Sequence, residues 1–170
     1  MGSIVSIVYT PAGVERKPPD WYARVSLDRA TLVEGHGIEG DLKGSRGKRQ
    51  LNVMRAEAIA ELDVLGLQTA PGQLGEQLVI SGLEPALFVP GTRLRLGPTA
   101  VIEFTSPRTG CDRFEHIQGT SKERVVGRLG FMARIVIGGE IRVGDTVDCL
   151  RPERAADNSQ GWKPLEDTAH

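Results

Sequence analysis

Between Thr105 and Arg113 the chain reads Thr-Ser-Pro-Arg-Thr-Gly-Cys-Asp-Arg, which sets one thiol, Cys111, three residues after Arg108 and two before Arg113. A cation beside a cysteine favours the thiolate, the form that attacks electrophiles and ligates soft metals. The residues alone leave two readings of Cys111. It is a working thiol on a turn that follows a strand, or it is a half-buried loop cysteine without chemistry, since free cysteines are commonly buried and inert. Cys149 lies in the run Thr146–Leu150 and reads as a structural strand residue. Two cysteines allow one disulfide, but a chain able to build an ordinary core and showing no export signal does not require it, so both are expected as thiols.

The other chemistry-bearing residues are less concentrated. Gly40–Arg49 combines glycines with Lys43, Ser45, Arg46, Lys48 and Arg49, a composition that can cradle a phosphate with backbone N–H groups and cations, or can be a solvated loop. It lacks the GxxxxGK[ST] pattern of a P-loop and the GxGxxG spacing of dinucleotide folds. His116, five residues beyond Cys111, is placed to assist it or to be a surface group; His36, between Gly35 and Gly37, reads as a turn residue able to approach a ligand. No HExxH, CxxC or zinc-spaced ligand cluster is present. Glu57 and Glu61, four apart, fit an exposed helix face.

The elements that position these residues are mostly strands. With 21 glycines and 10 prolines in 170 residues, the composition favours strands and turns over a helical bundle. Ile4–Tyr9, Ala23–Leu27, Gln77–Ile80, Arg93–Leu96, Ala100–Thr105, Met132–Ile137, Glu140–Val143 and Thr146–Leu150 read as strands between turn signals such as Pro90-Gly91, Gly97-Pro98 and Gly144-Asp145. The spacing is that of a barrel or sandwich. Leu51, Val53 and Met54 predict a strand leading into a helix over Ala56–Leu65, stopped by Gly66, and Arg124–Leu129 predicts a short helix. Gly35–Arg49, with five glycines and few apolar residues, reads as a mobile loop.

The fold class expected is therefore mainly β with a few short helices, in one domain over residues 1–150, followed by a tail over 151–170 that Trp162 and Leu165 could dock. A net charge of −1 provides no global field toward nucleic acid or anionic lipid, so any anion site is local. With no run near the roughly 20 apolar residues of a membrane span, the expectation is a cytoplasmic protein without nucleic-acid or membrane partners.

An ordered series of short segments is more specific. It comprises Gly37-Ile38-Glu39-Gly40-Asp41, Arg49-Gln50-Leu51, Pro71–Leu78, Gly82-Leu83, Gly91–Gly97, the Pro107–Cys111 loop, Gly127–Arg134 and Gly139–Asp145. Over roughly residues 3–150 the chain resembles the MOSC domain, named for the C-terminal domain of molybdenum-cofactor sulfurases. The resemblance implies a MOSC-type β-barrel in which Cys111 is the reactive thiol or molybdenum ligand. The cofactor implied is the molybdenum cofactor, a molybdopterin, with Arg108, Ser106, Thr105, Lys43, Ser45, Arg46, Lys48 and Arg49 as the residues to hold it. Pyridoxal phosphate belongs to a separate domain of larger relatives and is not expected here. The family often has a histidine where this chain has Lys43 and an asparagine where it has Gln77.

Three functions follow from that resemblance. One is a molybdenum-cofactor domain, with reduction of N-hydroxylated compounds as its chemistry and a separate electron-transfer protein as its partner. Another is a sulfur carrier, in which a cysteine desulfurase loads Cys111 as a persulfide for delivery to a metal centre on an acceptor protein. The third is a ligand- or partner-binding barrel in which Cys111 has no chemistry.

Overall fold

The computed structural model describes residues 1–151; the expected tail, with Trp162 and Leu165, lies beyond Arg151 and outside the described residues. The opening apolar run forms β1 (Gly2–Tyr9), with Ile4, Ile7 and Val8 buried and a bulge between Ile4 and Ser6 that breaks strict alternation. The segment after the prolines supplies β2 (Val25–Leu27), β3 (Arg29–Val33) and the two-residue β4 (Gly37–Ile38). β5 (Leu51–Arg55) passes directly into α1 (Ala56–Val64), and Gly66, at φ +89°, lets the chain reverse. Then come β6 (Leu78–Ser81), β7 (Arg93–Leu96), β8 (Ala100–Pro107), α2 (Asp112–Gln118), β9 (Phe131–Ile137), β10 (Gly139–Arg142) and β11 (Thr146–Leu150).

Seven strands close a barrel in the order β11-β7-β8-β9-β5-β6-β1, because β1 pairs back onto β11 through Gly2 with Val147 and Ser3 with Thr146. Closure removes the exposed edges that an open sheet would present. Most neighbours are antiparallel; β5 and β6 run parallel, as strands joined by a crossover helix do, and α1 is that crossover. A three-stranded sheet, β10-β3-β4, and the short β2 flank the barrel. Alternate residues such as Leu51, Val53, Leu78, Ile80, Leu94, Leu96, Ile102 and Phe104 fill the interior. A second apolar cluster of Met54, Leu62, Leu67, Leu74, Phe114, Val125 and Leu129 packs both helices outside the wall. It seats the segment that follows Cys111.

Two expectations change, and one helix is added to them. The chain after Cys111 forms α2, which buries Phe114 and Ile117 and ends at Gly119 in the left-handed region, φ +63°. The helix expected over Arg124–Leu129 is instead a 3₁₀ turn over Lys122–Val125, begun by the Ser121 hydroxyl accepting from Glu123 N–H and cut short before Gly127, φ +75°. The Gly35–Arg49 segment is more anchored than its composition suggests, for it contains β4, places Ile38 in the core and buries Asp41.

Candidate functional site

Cys111 is solvent-exposed and forms the extended residue immediately before α2, while Phe114 one turn on locks that helix into the second apolar cluster. The preceding strand is fixed by Arg108 N–H donating to Gly130 O at 2.9 Å. Cys111 opens onto a cleft of about 420 Å³ shared with Tyr22, Arg24, Lys43, Arg49, Asn52, Gly75, Gln77, Arg108, Thr109, Arg113 and Met132. Five cations and one thiol therefore face the same space, and no carboxylate is among its lining residues.

Three of the five cations are held by neutral oxygen atoms. Arg24 donates to Thr10 Oγ1 at 2.7 Å and Gly75 O at 3.2 Å, Arg108 to Leu74 O, and Arg113 to Pro18 O at 2.9 Å and Trp21 O at 3.1 Å. The Arg113 guanidinium also lies 4.8 Å from the Tyr22 ring centroid, and that of Arg108 6.0 Å from Phe114. Among the described residues none of the five lining cations forms an ion pair. Their charge faces a cleft whose lining holds no carboxylate, an arrangement suited to anion recognition.

That field perturbs its members. Burial pulls the Lys43 pKa down to about 8, helped by repulsion from Arg24, Arg113, Arg16 and Lys17. Burial also lowers the values of Arg108 and Arg24, which nonetheless stay protonated at neutral pH. Tyr22, buried beside Arg108, is raised mainly by desolvation, so its hydroxyl keeps its proton.

Two buried carboxyl groups stand behind this wall. Asp41 Oδ1 accepts from Thr10 N–H at 3.1 Å and Lys43 N–H at 3.0 Å, and its Oδ2 accepts from Gln77 Nε2 at 2.6 Å. Gln77 Oε1 in turn accepts from Asn52 N–H at 2.8 Å. Glu76, 1% exposed, accepts from Gly72 N–H; burial raises its pKa, against its own N–H, that of Gly72, and the charges of Arg108 and Arg24.

Of the residues expected to form the site, Cys111, Arg108, Lys43 and Arg49 come together. The others are elsewhere. Thr105 falls at the bulge in β8 and donates to Lys48 O at 2.7 Å; Ser106 pairs in register with Met132 but does not line the cleft. The Ser45 hydroxyl accepts from Gly47 N–H at 3.2 Å, closing a turn, while the side chains of Arg46 and Lys48 are exposed away from the lining. His116 is on the exposed face of α2, 2.8 Å from Asp20, and His36 packs against Gly44, so neither lines the cleft. Cys149 pairs with Leu94 and packs partly against the barrel core beside a broad apolar hollow of about 980 Å³.

Arg24, Tyr22, Asn52 and Met132 are additional lining residues. Nothing local distinguishes them, because barrel closure brings them in from separate strands and loops. Both positions at which the chain departs from the resembled pattern, Lys43 and Gln77, also line the cleft.

A closed β-barrel of this topology defines the fold class, and comparison with known proteins agrees. The family model of the MOSC domain matches residues 36–148. The chain belongs to the MOSC domain family. Its fold is similar to that of YuaD from Bacillus subtilis, with TM-score 0.68, 18% identity, and coverage of 86% of this chain and 94% of that one. It is also similar to YiiM from Escherichia coli, with TM-score 0.65 and 21% identity over 88% of this chain and 70% of that one. For YiiM from Geobacillus stearothermophilus the values are 0.65 and 15% over 89% and 76%. No curated protein matches in sequence. Among the described residues no helix is long and apolar enough to cross a membrane.

Proposed function

We propose that the cleft binds the molybdenum cofactor, with the Cys111 thiolate as a ligand to the metal and the cations around it receiving the pterin phosphate. The observation that carries this reading is the convergence of an exposed thiol with five cations, none ion-paired among the described residues. The donor set fits the group. A thiolate suits a soft metal centre, and guanidinium groups suit a phosphate. Among the cleft's lining residues Cys111 is the one thiol, imidazole or carboxylate, so it would be the protein's ligand to a metal held here.

Arg108 and Arg24, fixed by the backbone of residues 74 and 75, would orient the phosphate, with Lys43 and Arg49 adding charge to the same cleft. Ligand selection would also use Tyr22, whose ring supports Arg113. When bound, the cofactor supplies the redox chemistry at molybdenum, and the protein positions it. On this reading the activity, taken from the family resemblance, is reduction of N-hydroxylated compounds with electrons from a separate protein in the cytoplasm. Metal and pterin analysis of gently purified protein tests the binding reading. Molybdenum and pterin together in the native protein, with molybdenum lost from Cys111→Ser, is the expected result; their absence from the native protein overturns it.

The exposure of Cys111 favours a second reading, a sulfur carrier. A desulfurase would pass its sulfane sulfur to the Cys111 thiolate, giving a persulfide for an acceptor protein. Mass spectrometry after incubation with a desulfurase would then find one extra sulfur atom on Cys111, and none under conditions that load a control carrier counts against it.

A further inference from the structure

We propose that Glu76 is the positioning residue of the anion site, acting through the Gly72–Gly75 turn to hold Arg24 and Arg108 in the cleft. The inference rests on the anion-site reading and extends it to a residue that does not touch the ligand. Glu76 is 1% exposed, and one carboxyl oxygen accepts from Gly72 N–H, so the side chain reaches back across the turn that precedes it. The same turn is closed by Gly75 N–H donating to Gly72 O at 2.9 Å. Its carbonyls then face the guanidinium groups, Leu74 O receiving Arg108 and Gly75 O receiving Arg24 at 3.2 Å.

The approach is too close for side chains. Gly72 and Gly75 adopt φ +82° and +84°, and a Cβ on Gly72 would lie 2.3 Å from Arg24 Cβ, while one on Gly75 would lie 2.4 Å from Arg108 Nη2. The turn is thus fitted against both arginines at once. Asn52 joins it by donating from Nδ2 to Gly75 O at 3.1 Å. Without the Glu76 clamp, the carbonyls that aim the two arginines lose the contact that sets their direction. The second carboxyl oxygen is buried with no hydrogen-bond partner among the described residues, so the clamp draws on the oxygen that accepts from Gly72 rather than on both. A glutamine retains that acceptor.

The experiment uses the full chain as Glu76→Gln, Glu76→Met and Gly75→Ala, with two readouts. Inorganic phosphate affinity is measured by calorimetry, and ¹⁵N NMR of the arginine side chains reports whether the guanidinium groups of Arg24 and Arg108 rotate slowly, as held groups do. Glu76→Gln should bind phosphate within about twofold of wild type, whereas Glu76→Met and Gly75→Ala should weaken it about tenfold with faster rotation at Arg108. Glu76→Met with wild-type affinity and slow rotation overturns the inference. So does a loss in Glu76→Gln equal to that in Glu76→Met, which would make the charge, not the clamp, the cause. Should Glu76→Met fail to fold, Glu76→Ala, which also removes the acceptor, takes its place under the same criteria, while Gly75→Ala reports what direct displacement of Arg108 does to phosphate binding. Should wild type bind no phosphate, the anion-site reading falls, and the NMR arm still decides whether Glu76 holds the arginines.

Discussion

Gln77 Nε2 donates to Asp41 Oδ2 at 2.6 Å, joining a residue that lines the cleft to a buried one behind it, 36 positions apart in the chain. The other Asp41 oxygen receives the Thr10 and Lys43 N–H groups, so one buried carboxylate ties the start of β6, the end of β1 and the Lys43 turn together. Hydrogen bonds to a buried charged group are among the more costly to break, and alanine leaves three donors without their acceptor. Asp41→Ala should lower unfolding free energy by about 3 kcal/mol in urea denaturation. A change below about 1 kcal/mol would mean that the donors find other partners.

The pKa of Lys43, near 8, sets a pH dependence for anion binding. The sign follows from charge. Below that value Lys43 is cationic and adds to the attraction; above it Lys43 is neutral and the attraction is smaller. A bound anion favours the protonated amine, so binding takes up a proton in the window around and above pH 8. Sulfate, whose charge does not change across this range, should bind more weakly at pH 9 than at pH 7, by about threefold to tenfold. Lys43→Met should bind weakly at both pH values with little dependence between them. An unchanged pH profile in Lys43→Met would place the titrating group elsewhere.

Much of the barrel was legible because turn signals punctuate it at regular spacing and each strand carries enough apolar residues to declare its face. The misses have physical causes. β3 follows β2 across the single residue Asp28, and its alternation of buried Ala30 and Leu32 with more exposed Arg29, Thr31 and Val33 is too short to separate from the preceding strand. α2 carries its apolar contacts at only Phe114 and Ile117, although Asp112 and Glu115 in its first turn and Gly119 at its end were readable helix signals. In the site, Cys111 and Arg108 were legible because they are neighbours in the chain, and Lys43 and Arg49 because a basic, glycine-rich loop stands out. Ser45, Arg46 and Lys48 share that composition, but only the path of the backbone decides which side chains turn inward. Arg24 and Asn52 acquire their roles through Thr10 and Gly75, contacts that exist only once β1, β5 and β6 are assembled.

The two cysteines should differ in reactivity. Cys111 is exposed at the mouth of the cationic cleft, whereas Cys149 sits on β11, paired with Leu94 and packed against the barrel core. Iodoacetamide labelling of the apo protein, followed by peptide mass spectrometry, should modify Cys111 faster by about tenfold or more. Equal labelling, or faster labelling of Cys149, would remove Cys111 from consideration as the working thiol. Cys149→Ala should leave the Cys111 rate unchanged, since the two side chains line separate hollows.

Gly127 and Gly130 give a test in which conformational strain and steric space separate. Both have φ +75°, so alanine is strained at either position by the same backbone preference. A Cβ on Gly127 meets nothing within 4 Å. At Gly130 it would lie 2.0 Å from Val53 O and 2.9 Å from Met54 Cγ, against the β5 backbone that β9 pairs with. Gly130 O also accepts from Arg108 N–H, so movement there carries into the strand that delivers Cys111. Gly127→Ala should cost about 1 kcal/mol, the strain alone. Gly130→Ala should cost about 3 kcal/mol or more, because backbone must shift as well. Urea denaturation of the two variants measures the difference, and phosphate affinity of the folded fraction should fall only in Gly130→Ala. Equal costs at the two positions would mean that β5 yields to the added methyl group and that the close approach at Gly130 does not hold the Cys111 strand in place.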